Sequence, residues 1–191
     1  VRQWHWISSA VCLVGMLMFA LTGITLNHAG RIEASPQVTT LEAELPSERL
    51  LSLEAVHAER APLPDDLRAW FADEWQLRLP ARAAEWDGYE VYLSLPRPGG
   101  DAWLSIDRVT GDVLYERTDR GWIALFNDLH KGRNTGTAWS WFIDIFAVAC
   151  VIFSITGLVL LKRHAANRPT TWPLVGLGLV IPWILIVFLL H

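Results

Sequence analysis

Three long uncharged runs dominate this sequence. Trp6 to Leu26 holds no Asp, Glu, Lys or Arg, Ala138 to Leu161 holds only Asp144, and Trp172 to Leu190 holds none. At 1.5 Å of rise per residue each run reaches about 28 to 36 Å as a helix, enough to cross a hydrocarbon core of about 30 Å. A chain of 191 residues that is 52% hydrophobic is therefore expected to be an integral membrane protein with three transmembrane helices.

Orientation follows from the basic residues, which are retained on the cytoplasmic side of span ends. Arg2 precedes the first run, and Lys162, Arg163 and Arg168 lie between the second and third without an acid, whereas residues 29 to 137 carry 19 acids against 12 bases. The amino terminus and the 163–171 loop are expected in the cytoplasm, and the central segment outside. The first run is too long for the apolar core of a signal peptide and no Ala-x-Ala site follows it, so it reads as a retained anchor. Cys12 and Cys150 both fall inside apolar runs, outside any CxxC pair, and read as small buried residues.

The central segment is expected to be a separate α+β domain. Arg31 to Pro46 is polar and irregular and reads as a linker. Leu50, Leu51, Leu53 and Val56 suggest a short amphipathic helix from Ser47, ended by Pro62 and Pro64, and Leu67, Trp70, Phe71 and Trp75 a second helix, stopped by Pro80. The period then falls to two over 89–95, 102–106 and 112–117, with turns at 96–101 and Thr110-Gly111, which predicts a three-stranded antiparallel meander. Residues 121 to 136 form a different object: Trp122, Ile123, Leu125, Phe126 and Leu129 oppose Asn127, Asp128 and Lys131, as in a helix lying in the outer membrane interface. Most of the eleven tryptophans sit in or beside apolar runs, as an aromatic belt requires.

Five of the six histidines fall at or near span ends: His5 and His164 inside, His28, His130 and His191 outside. Imidazoles on neighbouring helices at one depth can supply both axial ligands of a haem iron, or hold another metal. Histidine is also a tolerable interfacial residue, so each one alone is weak evidence. Gly15, Gly23, Ser154, Thr156 and Gly157 would let the helices approach closely. Asp144, about a turn inside span two, either pairs with a residue such as Arg31 or Arg133 or lines a wet path. No GxGxxG, Walker or HExxH pattern occurs, and the short cytoplasmic loop has no room for a flavin or nicotinamide site. The net −7 of the outer segment excludes nucleic acid as a partner.

Two motifs carry a resemblance. Ser105 to Leu114, with its apolar-Asp-x-x-Thr-Gly-x-apolar pattern, resembles the final hairpin of PepSY domains. Asp128-Leu129-His130-Lys131-Gly132, followed by a span ending Thr156-Gly157-Leu158, resembles the PepSY-associated transmembrane proteins, and Trp4-His5-Trp6 with Leu21-Thr22-Gly23 resembles their opening helix. The resemblance implies a bacterial inner-membrane protein with span one at 1–30, a periplasmic PepSY-like domain at 31–120, the interfacial segment at 121–136, span two at 137–162, a loop at 163–171 and span three at 172–191. It implies one or two haems b, with His28 and His130 as an outer ligand pair, His5 and His164 as an inner pair, and His191 or Asp144 as a further ligand or substrate-site residue. It implies reduction of ferric iron or a ferric siderophore in the periplasm, with electrons from quinol or another membrane donor; a homodimer would complete a four-helix haem-binding bundle. The alternatives are a regulatory PepSY-type membrane protein, or an accessory subunit of an iron importer in which the histidines bind metal directly.

Overall fold

The computed structural model describes residues 1–33 and 35–189. Two compact units arise, Val1–Phe19 with Trp141–His191, and Ala20–Ser140. The three apolar runs are helices long and apolar enough to cross a membrane: α1 (Arg2–Asn27), α5 (Thr137–His164) and α6 (Thr171–Leu189), with mean hydropathies of 2.1, 2.5 and 2.3 over their most apolar windows. Their surfaces are largely apolar and exposed, as suits a hydrocarbon solvent rather than water. The second helix extends two residues beyond the expected 162, taking His164 into its last turn. Pro182 interrupts the backbone hydrogen bonding of α6.

Ala20–Ser140 is built on one antiparallel sheet of six strands, not three. The strands are β1 (Gln37–Glu44), β2 (Arg60–Pro62), β3 (Ala83–Trp86), β4 (Glu90–Ser94), β5 (Gly100–Asp107) and β6 (Asp112–Asp119), in the spatial order β1-β6-β5-β4-β3-β2. The expected meander is its centre. The expected linker at 31–46 contains β1, which pairs with β6 from Gln37↔Asp119 to Glu44↔Asp112. An edge strand needs only a weak apolar pattern, and Val38 is 55% exposed while Leu41 reaches the core opposite Tyr115.

Helices α2 (Ser47–Glu54) and α3 (Asp65–Glu74) each start just after a proline, Pro46 and Pro64, whose fixed φ suits the entry to a helix. They deliver Leu53, Leu67 and Phe71 to the inward residues Val91, Leu93, Leu104 and Ile106, all at or below 1% exposure. The Trp86 indole donates to the Ala61 carbonyl at 2.7 Å, so the largest core side chain carries no unpaired polar atom.

The Asp-x-x-Thr-Gly turn has a physical reading. Asp107 Oδ1 accepts the backbone N–H of Val109 and Thr110, and Gly111 takes φ +84°, where a side chain would be strained. These N–H donors hold the Asp107 carboxyl below its ordinary range. Between them, Arg108 donates to the carbonyls of Leu53, Val56 and Asp87, and its guanidinium lies 5.5 Å from the Trp86 ring. One turn thus ties the end of α2 to the sheet.

The last element of this unit, α4 (Gly121–Lys131), ends at Gly132 with φ +66°, a left-handed helix cap. Trp122 is 67% exposed and forms an edge-on pair with Phe126, whereas Leu125 lies against Gly99 and Asn127 is buried.

Candidate functional site

Along α1 the less exposed residues recur at intervals of three and four: His5, Ser8, Cys12, Gly15, Phe19 and Thr22. That 3.5-residue period is the seam of a helix that packs lengthwise on a neighbour. On α5 the corresponding stripe holds Phe146, Cys150, Phe153, Thr156 and Gly157. Glycines make the approach. A Cβ at Gly15 would collide with the Phe146 ring, and one at Gly157 would lie 3.3 Å from His5 Cε1.

His5 is the polar member of this seam. Its ring stacks on Phe153 with centroids 5.0 Å apart and planes 14° from parallel, and Nδ1 lies 3.0 Å from Thr156 Oγ1. The Thr156 hydroxyl already donates to the carbonyls of Ile152 and Phe153, so its proton is committed. Nδ1 of His5 must then be the donor, which leaves the lone pair on Nε2. His28 and His164 reach the same state by a shorter route, since Nδ1 of each donates to the carbonyl four residues earlier, Ile24 at 3.0 Å and Leu160 at 2.8 Å. All three imidazoles in their neutral form therefore present Nε2 as the free electron pair. A metal-ligating histidine needs this arrangement, with one nitrogen anchored and the other available.

The Ala20–Ser140 unit holds a second group. Thr22 Oγ1 and His130 Nδ1 share a 2.7 Å hydrogen bond, Thr25 Oγ1 donates to Asn127 Oδ1 at 2.7 Å, and Gly23 passes within Cβ distance, 3.6 Å, of His130 Cε1. Two adjacent turns of α1 thereby grip α4. From its other side α4 is held by the sheet: Asp128 Oδ2 accepts the Gly99 N–H at 2.9 Å, and a Cβ at Gly99 would lie 2.9 Å from Leu125 Cα. The Trp139 indole donates to the Leu129 carbonyl at 2.9 Å, just beyond the left-handed cap. The Asp-Leu-His-Lys-Gly motif is thus a clamp: Asp128 on the hairpin turn, His130 on α1, Gly132 ending the helix.

The histidines expected as ligand pairs are placed as follows. His130 is half-buried, His28 exposed at the start of a 3-10 turn (Ala29–Arg31), His5 half-buried in the seam, and His164 exposed in the last turn of α5. His191 lies outside the described residues. Asp144 is exposed and forms neither an ion pair nor a side-chain hydrogen bond among the described residues. His57 opens onto a shallow cavity of about 560 Å³ beside Glu59, Trp86, Asp87 and Arg108. Among the described residues no three or more His, Cys, Asp or Glu side chains gather as a metal-binding cluster. Thr22 and Thr156 are the histidine partners that the sequence alone does not single out, because each meets its imidazole across helices far apart in the chain.

The model of the PepSY_TM-like family matches the chain over residues 1–191. No match was found among curated proteins or among solved structures.

Proposed function

Because the chain belongs to the PepSY_TM-like family, we propose that it is a haem b-binding electron-transfer protein of the bacterial inner membrane. In this reading it passes electrons from quinol, or from another membrane donor, to ferric iron or a ferric siderophore in the periplasm. The observation that carries the reading is the set of histidines with Nδ1 engaged and Nε2 left as the lone-pair nitrogen, within or next to helices long and apolar enough to span a bilayer. Imidazoles that act in pairs suit an iron already held by a macrocycle, as its axial ligands.

His28 and His130 would serve as the outer ligands, and His5 with His164 as the inner ones. Haem, when bound, supplies one-electron chemistry; the chain supplies ligand orientation, a dry setting and a route. Thr156 and the Ile24 and Leu160 carbonyls orient the rings, and Phe153 keeps the His5 face free of water.

The test is a dithionite-reduced minus oxidised spectrum of the detergent-purified protein, expressed with ample haem. A sharp b-type α-band is expected, weakened at least several-fold by His28→Ala or His130→Ala, together with ferric-chelate reduction driven by a short-chain quinol. A featureless spectrum in a well-folded sample overturns the reading in favour of a regulatory PepSY-type role.

A further inference from the structure

The chain's two cysteines lie on the facing stripes of α1 and α5. Cys12 comes seven residues after His5 and Cys150 four after Phe146. The Gly15–Phe146 and His5–Thr156 contacts on either side set the two at one level of the seam; Cys12 is 0% exposed, and Cys150 is half-buried. A small apolar wall at this level would need no sulfur on either side. A disulfide, in contrast, requires two cysteines with their sulfurs turned toward each other and helices brought close, and the flanking Gly15 and Gly157 bring these helices close.

We propose that Cys12 and Cys150 are a dithiol–disulfide site that fastens α1 to α5, oxidised by a lipid-soluble two-electron acceptor of the quinone class. Both S–H bonds break and one S–S bond forms. The two electrons and two protons pass to the quinone, whose two carbonyl oxygens become the hydroxyls of a quinol. Access selects the oxidant: Cys12 offers no surface, and what remains of Cys150 opens from a helix suited to hydrocarbon, where glutathione and other aqueous disulfides do not partition. The inference rests on the membrane part of the reading above, and not on haem.

The experiment uses the full chain, reduced, freed of reductant, and incubated in detergent micelles with decyl-ubiquinone before denaturation and maleimide labelling. Expected are a mass loss of about 2 Da, no label on either cysteine until a reductant is added, and one quinol formed per chain. Cys12→Ser and Cys150→Ser should each keep one labelled thiol and yield no quinol. Two labelled thiols in the wild type after full exposure to the quinone, or a disulfide joining two chains, would overturn the proposal. The membrane premise is read separately by washing native membranes in alkaline carbonate: a chain that stays in the pellet keeps the lipid route open, and one that washes off removes it.

Discussion

Arg108 shows how much one side chain can organise when its charge is spent on backbone. Its guanidinium satisfies carbonyls from α2, the loop after it and the β3–β4 turn, while its face rests on Trp86. Replacing it with Ala leaves these carbonyls without their donor and should cost about 2–4 kcal/mol. Lys, with a point charge in place of a planar fork, should recover less than half of that. Thermal or denaturant midpoints of the full chain in detergent measure both changes. At the histidines the useful comparison is Thr156→Val against Thr156→Ser. The first removes the acceptor that fixes His5 and the second keeps it, so imidazole ¹⁵N shifts should report a changed His5 tautomer in the valine variant alone.

Among the elements, α4 depends most on single contacts. Gly99 sits at φ +75° against the main chain of Leu125, and its N–H is held by Asp128. Gly99→Ala therefore meets both backbone strain and a short contact, and should release α4 from the hairpin, raising amide hydrogen exchange across 121–131 with little change in β5 and β6. Asp128→Asn, which keeps the acceptor oxygen, should leave the exchange pattern near that of the wild type. The helices of this protein were legible because their signals are strong: long uncharged runs, a proline at the entrance to α2 and α3, and a 3.6-residue period in α4. The sheet was half legible. Its three central strands alternate buried and exposed residues. The peripheral strands β1, β2 and β3 escaped for different reasons: Val38-Thr39-Thr40 is exposed throughout, β2 is three residues ending in a proline, and β3 alternates but over only four residues. The partners of the histidines escaped for a related reason, since a threonine contact 108 or 151 residues away leaves no local trace.

For the molecule as a whole, charge sets the pH response of the sheet unit. Asp107 is held below its ordinary range by the Thr110 and Val109 N–H groups, Asp87 by those of Tyr89 and Glu90, and Asp119 by that of Gly121 with Arg97 beside it. A carboxyl whose folded value is depressed stabilises the fold above its unfolded value of about 3.9, and loses that contribution as pH falls through the lower folded value. Stability should therefore hold from neutrality to about pH 5 and then decline steadily below about pH 4, with a shallower decline in Asp107→Asn, as read from melting midpoints across that range. The unpaired side of β1 acquires a further meaning here. Its backbone offers a ready template to another molecule's strand, and Glu42 and Glu44, with Pro36 and Pro46 at either end, are what discourages self-assembly there. A guard made of carboxylates works only while they are ionised, so acid would open a route to intermolecular β-stacking at this edge, and neutral solutions of a Glu42→Val, Glu44→Val variant should scatter light as the acidified wild type does.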